Sequence, residues 1–131
     1  MIVNYVYWTS TVLLSLLYFA SAMLYITRSA DVRKAQSEMG YSASHLVPFM
    51  IIVKVLGPIA ILSRFNPGLS DLAYAGIFYH LILSGLAHLG VRKPRGAIPA
   101  AMGVMLLAGS FLTQNMAREV PSPYAPMATV Q

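Results

Sequence analysis

The sequence predicts an all-α membrane protein, an up-down bundle of four transmembrane helices. Of 131 residues, 57% are apolar and 10% charged, against roughly 25% charged in an ordinary soluble domain. Mean hydropathy is +0.65. Four stretches of near span length follow one another with short links between three of them. A chain this short is a single domain. With zero Cys, a disulfide framework, a thiol redox relay and a cysteine metal site are excluded. The net charge of +5 is scattered among short loops, so nucleic acid is not an expected partner.

The four-helix domain takes in residues 1–118, with spans at about Asn4–Ile26, His45–Ser63, Leu72–Gly90 and Ala97–Ala117. A spanning helix needs about 20 mostly apolar residues. In hydrocarbon the backbone must bond to itself, which makes these segments helices. The first has no basic leader and no small-residue exit before Thr27, so it reads as a span rather than a signal peptide. The second is short and carries Lys54. Ala30–Met39 predicts a short surface helix closed by Gly40, with Val32, Ala35 and Met39 facing the membrane. Asn66-Pro67-Gly68 reads as a turn. Short links make successive helices antiparallel neighbours. Residues 119–131 form a Pro-rich tail that is not expected to be helical, and order in it would point to a partner.

Orientation follows from Lys and Arg in short loops. Arg28, Arg33, Lys34, Arg92, Lys93 and Arg95 fall on one side, Arg64 and Arg118 on the other. Both termini are therefore expected outside the cytoplasm.

Small and polar residues mark helix contacts in lipid. At about 100° per residue, Asn4, Thr11, Ser15, Tyr18, Ala22 and Tyr25 share a stripe on the first helix. Ala73, Gly76, His80, Ser84 and His88 do so on the third, and Pro99, Gly103, Ser110 and Gln114 on the fourth. Such stripes serve helix packing or line a cavity. Phe78 and Ile82 fall on the lipid side. Tyr5, Tyr7 and Trp8 read as interfacial anchors.

Lys54 is the anomalous residue. A lysine at mid-span costs roughly 2.5–3.5 kcal/mol on insertion scales. The interface is about 15 Å away, beyond the reach of its stem. Asp31, Glu38, Asp71 and Glu119 all lie in loops, at a rim or in the tail. Three arrangements remain open: a neutral amine, hydrogen bonds to Tyr18, Ser84 or His80, or a partner from a ligand, lipid or second subunit. Depth counting puts His80 level with Lys54, where the two could share one proton. Packing and ligand binding are both compatible with the pair. His45 and His88 form a second group at the rim. They lack a third metal ligand and metal-site spacing, so no metal site is expected. Gly57-Pro58 predicts a kink. Phosphate loops, nucleophile elbows and paired carboxylates are not legible, so no catalytic residue is assigned.

Several of these pieces together resemble the DoxX-like family of small four-helix membrane proteins, from about Asn4 to Leu112. They are Tyr7-Trp8, S-A-M-L-Y at Ser21–Tyr25, Met39-Gly40-Tyr41, K-V-L-G-P-I-A-I-L at Lys54–Leu62, L-A-Y-A-G at Leu72–Gly76, and Ala87-His88. Ala22 stands where the family usually has Gly, Leu72 where Trp is common, and Arg92-Lys93-Pro94 where Gly-Asp-Pro is common. The family-like positions are Tyr25, Lys54 and His88; His80 is not one. The resemblance implies a bacterial inner (plasma) membrane and a connection with quinone-linked sulfur oxidation, membrane oxidoreductase complexes or assembly of other membrane proteins. Two readings follow. The preferred one is a non-catalytic accessory subunit or assembly partner among other membrane subunits. The alternative is a quinone-binding redox protein working with a partner oxidoreductase, with no intrinsic cofactor and a bound quinone or lipid. The ligand- or partner-binding candidates are Lys54, His80, His88, Tyr18, Tyr25 and Ser84.

Overall fold

The computed structural model describes residues 2–127. Helix α1 runs Ile2–Thr27, α2 Ser29–Glu38, α3 Leu46–Ser63, α4 Pro67–Gly90 and α5 Ile98–Thr113, and 3-10 turns at Pro94–Ala97 and Gln114–Met116 flank α5. Among the described residues there is no strand. Four helical stretches are long and apolar enough to cross a membrane, the last being Pro94–Met116 with its flanking turns included. Around the bundle α1 packs on α3 and α5, and α4 packs on the same two. Helices α1 and α4 therefore face each other across the diagonal. One end of the bundle carries the chain termini and the α3–α4 link. The other carries α2 and the α4–α5 link.

The start of α4 is earlier than the predicted 72. The Asn66 side chain accepts from Gly68 N at 2.7 Å and Leu69 N at 3.2 Å, and Pro67 takes the first helical position. An Asn cap followed by Pro satisfies the opening of a helix without a preceding turn of its own. The Asn-Pro-Gly signal thus opens a helix directly. Arg64 closes α3 in the left-handed region, at φ 54°. Its guanidinium donates to the Ala117 carbonyl and lies 5.5 Å from the Trp8 ring centroid, contacts that offset the left-handed cost. Gly40 has φ +91°, the conformation its lack of a Cβ permits.

The core is apolar with a polar thread. Leu14, Tyr18, Ile61, Tyr74, Ile77, Leu81, Ala100 and Leu107 form its cluster. Ser15 returns its hydroxyl to the Thr11 carbonyl at 2.7 Å. Leu13, Leu16, Phe49, Leu56, Phe78, Ile82 and Met105 are exposed, on the faces expected to meet lipid.

Three stripe assignments and one anchor assignment are corrected. Asn4 and Gly76 are exposed, and a Cβ at Gly76 would meet open space. The buried face of α4 centres on Ile77, and Gly76 lies roughly 100° around the helix from it. Asn4 sits a turn beyond Tyr7, where the chain end leaves the bundle. Pro99 is exposed at the start of α5. Tyr7, read as an interfacial anchor, is 0% exposed, because its place on α1 falls on the face shared with Thr11 and Leu14.

On α2, Val32, Gln36 and Met39 are half-buried and Ala35 is exposed. Its inner face is thus displaced from the predicted one by the 32-36-39 spacing. Over residues 119–127 the tail finds its partner in the chain itself; residues 128–131 lie outside the described residues. Asn115 Nδ2 donates to the carbonyls of Ser122, Ala125 and Pro126 at 2.9, 3.2 and 3.0 Å, while its Oδ1 accepts from Ser122 N at 2.8 Å. The Ser122 hydroxyl reaches both oxygens of Asp71 at 2.8 Å. Order in the tail therefore requires no second protein.

Candidate functional site

A cavity of about 480 Å³ opens in the half of the bundle that holds α2, and Tyr18, Tyr25, Lys54, His80, Ser84 and His88 all line it. Apart from Ser21, its remaining wall is apolar, including Leu17, Leu24 and Leu81. Ala20, Leu24 and Pro99 both line it and are exposed, so its mouth lies between α1 and the start of α5, on the side that faces the bilayer.

Lys54 enters from α3 and is 4% exposed. Its Nζ lies 5.1 Å from the Tyr18 ring centroid and 4.8 Å from that of Tyr25. Tyr18 and Tyr25 are seven residues apart on α1, two turns on one face. Between them they present two π-faces, which attract a cation more strongly where water is excluded. Hydrogen bonds from Lys54 to Tyr18, Ser84 or His80 are among the arrangements the sequence allows. The aromatic seat was a fourth arrangement, legible in the Tyr18–Tyr25 spacing. Pro58 sits four residues after Lys54, where it has no N–H to return to the Lys54 carbonyl. The helix nevertheless continues through Pro58.

His80 and Lys54 line the same cavity, but the hydrogen bond of His80 goes to Tyr18 rather than to Lys54. Its Nδ1 lies 2.8 Å from the Tyr18 hydroxyl. His88 Nδ1 lies 2.8 Å from the Ser84 carbonyl. A carbonyl only accepts, so Nδ1 carries the hydrogen and the neutral ring keeps a lone pair on Nε2. The Cδ2–Nε2 edge of that ring lies against Gly96, where a Cβ would collide with Cδ2 and stand 2.7 Å from Nε2. Gly96 therefore permits the position of His88. His45, at the start of α3, is exposed and does not line the cavity.

Chemically the site combines one amine, two phenols, two imidazoles and the hydroxyls of Ser21 and Ser84 in an otherwise apolar enclosure without a carboxylate. Such a set donates hydrogen bonds to carbonyl oxygens and holds a flat ring among aromatic faces. Among the described residues no group of three His, Cys, Asp or Glu could hold a metal.

Residues 9–126 match the DoxX-like family. The chain belongs to the DoxX-like family. The match covers most of this DoxX-like chain, Lys54, Tyr25 and His88 included, and extends through Asn115 and Ser122 into the folded tail. No curated protein and no solved structure matches it.

A second polar group, at the terminal end, was only half legible. Thr11 and Ser110 exchange a hydrogen bond at 2.6 Å, and the Tyr74 hydroxyl joins Ser110 at 2.6 Å. Thr11, Ser110 and Gln114 fell in the predicted stripes. Tyr7 and Tyr74 did not, because a tyrosine near a helix end reads equally as an anchor.

Proposed function

We propose that this DoxX-like protein is a non-catalytic subunit of a larger membrane complex, and that its contribution is to hold a carbonyl-bearing amphiphile of the quinone class in the Lys54 cavity. The observation that carries this reading is the seating of one buried amine between two tyrosine rings in a cavity lined by no acid. The volume lies in the range of about 300–1,000 Å³ usual for small-molecule sites. A mouth between α1 and α5 suits a ligand whose tail stays in lipid. Lys54 and Tyr25 would donate to a carbonyl oxygen, and Tyr18 and His80 would orient them. Ser84 and His88 offer polar contacts on the α4 wall. A quinone supplies two-electron chemistry when bound. Without cysteine, this chain has no thiol route for electrons, so a partner oxidoreductase delivers or removes them.

We place the protein in a bacterial inner membrane with both termini outside the cytoplasm. This rests on the six Lys and Arg in the two links of the α2 end, against two at the terminal end. A C-terminal reporter active only in the cytoplasm would overturn that orientation.

The test is purification of wild type and Lys54→Met in mild detergent, followed by thermal unfolding and mass spectrometry of extracted quinones and co-eluting proteins. Removing the amine also removes its desolvation cost, so Lys54→Met is expected to unfold no earlier than wild type. It is expected to lose bound quinone. Equal quinone retention by both proteins, or absence of quinone from wild type, sinks the ligand reading. Co-elution of the same partner proteins with both would then leave the subunit role standing without it.

A further inference from the structure

Among the described residues, three polar atoms in the terminal half of the bundle are buried with no hydrogen-bond partner: Tyr7 Oη, Gln114 Nε2 and Arg118 Nη2. Tyr7 and Gln114 are 0% exposed. The Thr11–Ser110 hydrogen bond fixes the antiparallel register of α1 against α5. One turn from it towards the chain ends, Tyr7 on α1 comes level with Gln114. Beyond the end of the last helical turn, Arg118 returns its Nε to Gln114 Oε1 at 3.1 Å. The three orphans therefore fall within about one helical turn, roughly 5 Å, of one another along the bundle.

Their chemistry is weighted towards donation. An amide nitrogen and a guanidinium only donate, and a phenol can donate. Gln114 has spent its acceptor on Arg118. Buried donors left without an acceptor are costly, and those from Gln114 and Arg118 cannot satisfy each other. Arg118 also brings a positive charge, and among the described residues no carboxylate lies within ion-pair distance of it; the one ion pair is Lys93–Glu38. Asp71, at the same end, is engaged by the Ser122 hydroxyl. The group that would satisfy these donors together is an acceptor carrying negative charge.

We infer that Tyr7, Gln114 and Arg118 form a buried binding site for a small monovalent anion of the halide kind, separate from the Lys54 cavity. The anion accepts from all three donors and neutralises Arg118, tying the end of α5 to α1. The site uses none of the six residues of the Lys54 cavity, so its fate is independent of the quinone reading.

The experiment is thermal unfolding of the full chain in detergent, with chloride or bromide replacing gluconate at constant ionic strength. A ligand that binds only the folded state raises the midpoint with its concentration and saturates. Wild type is expected to gain a few degrees in chloride and in bromide. Tyr7→Phe keeps the ring and removes one donor, and Arg118→Leu removes the charge. Both are expected to lose most of the halide-dependent rise, Tyr7→Phe without loss of stability in gluconate. Should Arg118→Leu fail to fold, Tyr7→Phe together with a bromide anomalous signal between these side chains decides the matter. A midpoint independent of halide in wild type means that water fills the gap and overturns the proposal. A halide rise that survives unchanged in Tyr7→Phe overturns it as well.

Discussion

The Tyr18 hydroxyl and His80 Nδ1 meet at 2.8 Å across the diagonal of the bundle, between α1 and α4, whose backbones do not approach each other. Each side chain spans half the interior. Their rings stand edge to face with centroids 5.6 Å apart. The contact forms one wall of the Lys54 cavity and couples two helices whose backbones are held together through α3 and α5.

A double-mutant cycle measures that coupling. Tyr18→Phe and His80→Leu are each expected to destabilise the bundle, and the double variant by less than their sum. The interaction energy should be about 0.5–1.5 kcal/mol, the net value of a typical neutral hydrogen bond. Additive effects in detergent unfolding would mean that the two side chains do not depend on each other.

Gly96 gives a second prediction. Its missing Cβ leaves room for the His88 ring. Gly96→Ala forces that ring to turn and to release the Ser84 carbonyl. Overpacking of this kind costs about 1–3 kcal/mol. His88→Ala in the Gly96→Ala background is expected to restore part of the loss, because it removes the colliding ring. Unfolding midpoints of the two single variants and the double variant check the order. A double variant less stable than Gly96→Ala alone contradicts the packing argument.

These two sites also mark what the sequence could and could not disclose. Helix periodicity placed Tyr18, Tyr25, His80, Ser84 and His88 on inward faces, and the cost of a mid-span charge singled out Lys54. Both are local properties of a segment in lipid. The partner of each side chain is not local. Tyr18 chose His80 over Lys54 because α1 and α4 stand on a diagonal, and antiparallel counting by depth carries no angular information. Gly76 illustrates the same limit: a small residue near the stripe turned outward because bulkier Ile77 took the centre of the interface. The tail was illegible for a different reason. Its anchor, Asn115, lies just beyond α5, where one amide replaces a run of backbone bonds that no periodic pattern announces.

Asn115 is accordingly the third prediction. Its side chain donates to three tail carbonyls and accepts from Ser122 N, and Asn115 is 3% exposed. Asn115→Ala strands a buried N–H and several carbonyls, at about 1–3 kcal/mol for a group left unsatisfied. The tail should become sensitive to proteolysis after Val120 while the four spans stay folded. Asn115→Asp keeps the acceptor for Ser122 N but removes the donors and adds a charge, so it should be no better. Unchanged protease resistance in Asn115→Ala would show that Ser122 and Asp71 hold the tail unaided.

The last prediction concerns the link between α2 and the start of α5. Lys93 Nζ donates to Glu38 Oε2 at 2.8 Å across that end of the bundle. That hydrogen bond, and the lysine charge behind it, hold the Glu38 carboxyl below the ordinary carboxylate range. A depressed carboxylate pKa contributes stability above the unfolded-state pKa, and the contribution disappears as pH falls through the folded-state value. The tether should therefore be constant from neutral pH down to about pH 5 and weaken only in more acidic solution. The side chains are 59% and 46% exposed, so salt should weaken it too. The sequence has no cysteine, which makes a single spin label at Ala35→Cys, on the exposed face of α2, a clean reporter. Label mobility is expected to rise on acidification and with added salt, while the unfolding midpoint barely moves. Glu38→Gln should show the mobile state at every pH. A label equally immobile in Glu38→Gln at neutral pH would mean that Val32, Gln36 and Met39 hold α2 by packing alone, and that the ion pair is a bystander.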